Sequence, residues 1–109
     1  MRTMLTLIST AGALTLALAT PALAQANVEA AMTKAGCLAC HAKDKKMVGP
    51  AYKDVAAKYK GQADAVVKLM DKVRKGGSGV YGPVPMPPHP ADKLSDADLK
   101  AMTEWVLKQ

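Results

Sequence analysis

Apolar positions recur at helical spacing in four stretches of the chain. Val28, Ala31, Met32 and Ala35 share one face, and Asn27 ahead of them can serve as N-cap. This predicts a first helix over Asn27 to Ala35, closed by Gly36 as a C′ residue. Tyr52, Val55, Ala56 and Tyr59 predict a second helix that ends at Gly61. Val66, Leu69, Met70 and Val73 predict a third, from about Ala63 to Lys75, with Lys72, Arg74 and Lys75 at the negative end of its dipole. Ser95 as N-cap, Asp98 three residues on, and Leu94 with Leu99 as a hydrophobic staple announce the fourth. Its apolar face is Leu99, Met102, Trp105 and Val106, and Trp105 is expected to pack against the first helix. Met32 and Met70 have the spacing of core residues.

The stretch Gly76 to Lys93 breaks every such pattern. Four glycines followed by Pro83, Pro85, Pro87, Pro88 and Pro90 exclude a regular element of useful length. A flexible linker is one reading. The prolines, however, leave Pro83-Val84-Pro85-Met86-Pro87-Pro88 few conformations to lose on ordering, so the segment can hold one side chain rigidly.

The candidate chemistry lies just after the first helix, in Cys37-Leu38-Ala39-Cys40-His41. Two thiols one turn apart with an imidazole directly after them form the Cys-x-x-Cys-His pattern of covalent haem attachment. Each thiol can add to one vinyl group, and His41 then lies under the iron. A thioredoxin-like pair would belong beside a βαβ pattern, which is absent here. A zinc site would have only His89 to add, at a spacing unlike a zinc finger. A histidine ligand usually donates its second N–H to a carbonyl or carboxylate. The basic loop after His41 ends in Val48-Gly49-Pro50, where Gly49 permits an unusual backbone angle and the Pro50 carbonyl can accept such a bond. For the second axial position, Met86 is the loop methionine with no amphipathic face to explain it, and a thioether pairs well with a histidine-bound haem iron. His89 is its rival; Met47 follows His41 too closely to reach the opposite face.

Composition and the N-terminus add the compartment. Met1-Arg2, the apolar run Leu5 to Ala19 and the small-x-small Ala22-Leu23-Ala24 read as a secretory signal peptide cleaved after Ala24. The run is short and interrupted for a membrane anchor. The expected domains are residues 1–24, a leader, and 25–109, one soluble domain outside the cytoplasm. Loss of the leader lowers the formal charge of +6 by one and leaves a basic protein whose charge is nearly all Lys. The chain contains no Phe, so haem would supply much of the apolar volume, and the apoprotein is expected to be largely unfolded. Export makes nucleic acid an improbable partner despite the charge.

The chain resembles the small bacterial class I cytochromes c of the c-551/c-552 family over essentially the whole mature sequence. The likeness rests on Gly36-Cys37-Leu38-Ala39-Cys40-His41, Met47-Val48-Gly49-Pro50-Ala51-Tyr52, the run Gly76 to Pro88, and Trp105-Val106-Leu107. It implies an all-α fold of about four short helices wrapped around one haem c, with the terminal helices crossing. It also implies attachment through Cys37 and Cys40, His41 and Met86 as iron ligands, and the Pro50 carbonyl bonded to the His41 ring. Lys72, Arg74 and Tyr81 match the places that contact the propionates. Tyr81 stands where Trp is common, Met32 where Phe is common, and His89 where a carboxamide is usual.

The implied activity is that of a periplasmic single-electron carrier and not an enzyme, taking electrons from a membrane cytochrome complex to a reductase, peroxidase or terminal oxidase. It would act as a monomer, without stable membrane insertion, docking transiently on redox proteins. Lys43, Lys45, Lys46, Lys58, Lys60, Lys72 and Lys75 would steer that docking, beside an apolar patch of Val80, Val84 and the prolines. The alternative is a haem-based gas-binding or sensor protein in which Met86 is labile.

Overall fold

Helical periodicity becomes four α-helices among the described residues: α1 (Pro21–Lys34), α2 (Tyr52–Tyr59), α3 (Ala65–Lys75) and α4 (Asp96–Leu107). The computed structural model describes Gly12 and residues 21–109, with side chains from Asn27 onward. Most of the expected leader therefore lies outside the described residues. No strand occurs among the described residues; the one sheet-like feature is an isolated antiparallel bridge between Gly77 and Met86. The architecture is all-α.

α1 begins at Pro21, not after an Asn27 cap. Proline is preorganised for the first helical position, and Ala, Leu and Gln after it are good helix formers. The helix of the uncut chain thus runs through the expected cleavage point after Ala24. Its buried stripe is as expected: Met32 is 2% exposed, with Val28, Ala31 and Ala35 packed partly buried against the same core. Gly36 takes the left-handed conformation, φ 84°, and turns the chain into a single 3-10 turn over Cys37–Ala39. α3 starts at Ala65, two residues later than the periodicity suggested, because Gly61 to Asp64 form turns first.

α4 is the element that every other helix touches. The Ser95 hydroxyl accepts a hydrogen bond from the Asp98 N–H at 3.2 Å, which satisfies one otherwise unpaired donor of the first turn. Leu94 and Leu99 are both buried on either side of that cap, as the staple requires. Met32, Tyr52, Val55, Leu69, Leu99 and Trp105 meet in one core. The aromatic partner of Trp105 is Tyr52 of α2, edge to face at 5.6 Å, and the Lys43 ammonium lies 5.2 Å from the indole ring. The loop that follows α1 thus supplies part of its setting.

Candidate haem site

Local backbone geometry brings the Cys-x-x-Cys-His stretch to one wall of a cavity. His41 N–H donates to the Cys37 carbonyl at 3.0 Å, so the turn keeps both thiols and the imidazole within one tight loop. Cys37 and Cys40 are free and half-buried. Burial pushes the Cys37 thiol above its ordinary value, with a hydrogen bond from its own backbone pulling the other way.

The loop beyond His41 is fastened from both sides. Gly49 N–H donates to the Cys40 carbonyl at 2.7 Å, while the Ala42 and Lys43 carbonyls accept the Tyr52 and Lys53 N–H groups at the start of α2. Two orphan donors of that helix are satisfied in this way. The result places the Pro50 carbonyl 2.8 Å from His41 Nδ1. A carbonyl can only accept, so Nδ1 is the donor, and in the neutral ring Nε2 keeps its lone pair. The imidazole also stacks on Tyr52, centroids 5.2 Å apart and planes 20° apart.

Gly49 has a role other than the expected one. Its φ is not among the positive values of the chain, so an unusual backbone angle is not what it provides. A Cβ there would overlap His41 Cε1 and lie 2.8 Å from Nδ1 and 2.9 Å from Nε2. The backbone is pressed against the ring, and only glycine fits.

Met86 reaches the same cavity from the proline-rich segment. Its N–H donates to the Gly77 carbonyl at 2.9 Å and its carbonyl accepts from the Gly77 N–H at 3.0 Å. The cavity has a volume of about 470 Å³ and is lined by Cys37, Cys40, His41, Pro50 and Met86 together. The rest of its wall is mostly apolar, with Met32, Val55, Leu69, Leu99, Met102 and Val106. Such a volume lies within the roughly 300–1,000 Å³ of ligand cavities. Thiols, an imidazole with a free lone pair and a thioether around an apolar hollow form a donor set that fits a haem.

Lys72 and Tyr81 also line the cavity; Arg74 and His89 do not. Arg74, matched to a propionate contact by resemblance, has its guanidinium engaged elsewhere. Nη1 donates to the His89 carbonyl at 3.0 Å and to the Leu94 carbonyl at 2.6 Å, and Nη2 to Asp96 Oδ1 at 2.6 Å. Two carbonyls on the segment leading into α4 and the carboxylate of its first residue hold it there. His89 is anchored by its backbone to the Val73 carbonyl, and its ring Nδ1 is buried without a hydrogen-bond partner among the described residues. Tyr81 is 39% exposed, with the Lys58 ammonium 5.0 Å from its ring. Partial burial, then the neighbouring Tyr59 and Asp54, push its phenol above the usual value.

Tyr52, expected on the apolar face of the second helix, both lines the cavity and stacks on His41. Burial, followed in the free-thiol form by the charges of Cys37 and Cys40, pushes the Tyr52 phenol well above the ordinary tyrosine range.

Residues 25–109 match the family model described as Cytochrome c. The chain belongs to the cytochrome c family. This cytochrome is 54% identical over 74 residues to cytochrome c-551 of Pseudomonas aeruginosa, covering 68% of each chain. It is 52% identical over 82 residues to cytochrome c-552 of Hydrogenobacter thermophilus, covering 75% of this chain and 80% of that one. The crystal structure of Nitrosomonas europaea cytochrome c552 superposes with a TM-score of 0.67 at 46% identity, over 76% of this chain and 96% of that one.

The fold is that of the class I cytochromes c, with the terminal helices α1 and α4 packed against each other. A cytochrome c carries its haem covalently, and this chain has two cysteines, so one haem c is attached through Cys37 and Cys40. The cytochrome is a small electron-transfer protein. No helix among the described residues is long and apolar enough to cross a membrane.

Proposed function

We propose that the cytochrome is a diffusible periplasmic carrier of single electrons, released from its leader after Ala24, with His41 and Met86 as the two axial ligands of its haem iron. The observation that carries this reading is the His41–Pro50 bond on the same cavity as Met86. It leaves Nε2 of a fixed ring free to bind metal, and a backbone bridge holds the thioether in reach of the same hollow. When bound, the haem supplies a one-electron couple between ferric and ferrous iron, and a methionine ligand favours the ferrous form.

The remaining work falls to this chain's own residues. Cys37 and Cys40 tether the group, the apolar lining keeps water from it, and the Pro50 carbonyl fixes the imidazole orientation. Lys72 and Tyr81 offer an ammonium and a phenol to the propionates from the cavity wall. His41 and Met86 would hold the iron between them and leave it no open position for oxygen or a substrate, which would separate a carrier from a gas sensor or an enzyme.

Exchange with partners runs over the cavity mouth. Val48, Val80, Tyr81 and Val84 are exposed there, and Lys46, Lys58 and Lys72 stand around them. A small apolar patch within a basic rim suits brief docking of the monomer on acidic redox proteins, from a membrane cytochrome complex to a periplasmic reductase, peroxidase or oxidase.

The test is the visible spectrum of oxidised and reduced holoprotein at neutral pH. A low-spin, six-coordinate ferric form with a methionine-sulfur charge-transfer band at the red end of the visible is the expected result. A ferric form without that band, or rapid binding of cyanide or carbon monoxide to the native protein, removes the reading.

A further inference from the structure

We propose that Gly76 is a positioning residue for Met86: it lets the end of α3 and the methionine segment approach until their backbones bond, and no residue with a Cβ can take its place. This rests on the axial role of Met86 proposed above.

Gly76 follows the last residue of α3, where glycine is common simply because it tolerates the left-handed conformation. That explanation does not fit here. Its φ of 66° comes with a ψ of −152°, a region open essentially to glycine alone and not the usual left-handed cap. The residue is also buried. A Cβ on Gly76 would overlap the Met86 carbonyl oxygen and lie 2.9 Å from Pro87 C and 2.9 Å from Pro88 N. All three are backbone atoms, and Pro87 and Pro88 have little freedom to move aside.

The close approach makes a row of bonds possible. Gly77 and Met86 exchange both backbone hydrogen bonds, at 3.0 and 2.9 Å, and the His89 N–H donates to the Val73 carbonyl at 3.0 Å. Gly76 N–H itself donates back to the Lys72 carbonyl at 2.7 Å and so sets where the helix stops. The bonds fall on Met86 itself and three residues beyond it, so a shift at Gly76 moves the backbone from which the thioether projects. The contrasting case is Gly61, just beyond the end of α2. It too has a positive φ, 80°, but a Cβ there meets nothing within 4 Å. Gly61 therefore reports what a positive-φ substitution does at a helix end where no methionine segment is met.

The experiment compares Gly76→Ala and Gly61→Ala in the holoprotein, reading the methionine-sulfur band of the ferric form and the far-ultraviolet helix signal during heating. The expected result is that Gly61→Ala keeps the full band until its helices melt. Gly76→Ala should lose most of the band at 25 °C, or lose it well before its helices melt. A Gly76→Ala protein whose band and melting match those of Gly61→Ala overturns the proposal while leaving Met86 ligation intact.

Amide exchange in the wild-type holoprotein covers the case in which Gly76→Ala does not fold. The Gly77 and Met86 amides should exchange slower than that of Val84, which makes no hydrogen bond among the described residues, by on the order of a hundredfold. Equal rates overturn the proposal. A wild-type spectrum lacking the band defeats the ligand reading instead, and the exchange rates still judge the backbone seat.

Discussion

Replacing Arg74 by Met separates two accounts of this side chain. Its guanidinium, with the side chain 20% exposed, bonds the His89 and Leu94 carbonyls and pairs with Asp96, whose side chain is 83% exposed. A hydrogen bond from a charged donor contributes about 1.5–3 kcal/mol, and the two carbonyl bonds are part-buried. The ion pair with an exposed carboxylate adds at most about 1 kcal/mol. Arg74→Met should therefore lower the unfolding free energy by roughly 3–5 kcal/mol, and Asp96→Asn by about 1 kcal/mol or less. Arg74→Lys keeps the charge but cannot fork to both carbonyls, so it should behave more like Met than like wild type. The assay is urea denaturation of the holoprotein, followed by the midpoint potential of each variant. Lys72 lines the cavity and Arg74 does not, so Lys72→Met should move the potential more than Arg74→Met. Equal destabilisation by Asp96→Asn and Arg74→Met would show that the ion pair, not the carbonyl clamp, matters. A large potential shift with little loss of stability in Arg74→Met would restore it to a propionate.

Gly49→Ala forces a methyl group against the His41 ring, and overpacking of this kind costs about 1–3 kcal/mol; the His41 imidazole resonances of the reduced holoprotein should shift, and an unchanged spectrum would count against the contact. Leu99, at 1% exposed, is among the most buried side chains and lines the cavity, so Leu99→Ala should destabilise the holoprotein by about 2–5 kcal/mol in the same urea assay. Tyr52 bears on alkaline stability. Its folded phenol is raised mainly by burial, so below pH of about 10 it is neutral in both states and contributes no slope. As pH rises above that value the unfolded chain ionises first, and stability falls by up to about 1.4 kcal/mol per pH unit until the folded phenol also titrates. Tyr52→Phe should remove that part of the alkaline decline, and identical slopes for the two proteins would contradict it.

What was legible in the sequence, and what was not, divides along one physical line. Stripes at helical spacing located α2, α3 and α4, and the Ser95 cap and the left-handed Gly36 appeared where side-chain chemistry demanded them. Cys37, Cys40 and His41 were equally plain, because three reactive groups within five residues have no common structural explanation. The start of α1 was missed because Pro21 favours a first helical turn as strongly as Asn27 favours a cap, and periodicity cannot rank the two.

The clamps were harder to read. Arg74 looks like an ordinary cation at a helix end, and its carbonyl acceptors belong to His89 and Leu94, far along the chain. Every residue has a carbonyl, so nothing in the sequence of the acceptor marks it. Gly49 and Gly76 are silent for a related reason: what excludes a Cβ is a His41 ring in one case and the Met86–Pro88 backbone in the other. Both glycines lie beside the proposed axial ligands, where the chain must come closer than any side chain allows. The residues proposed to bind the metal stand out by their chemistry, whereas those proposed to aim them act through missing atoms. A substitution survey of this cytochrome should therefore find its least tolerant glycines by contact with His41 and Met86, not by positive φ, since Gly36, Gly61 and Gly79 share that conformation in open space.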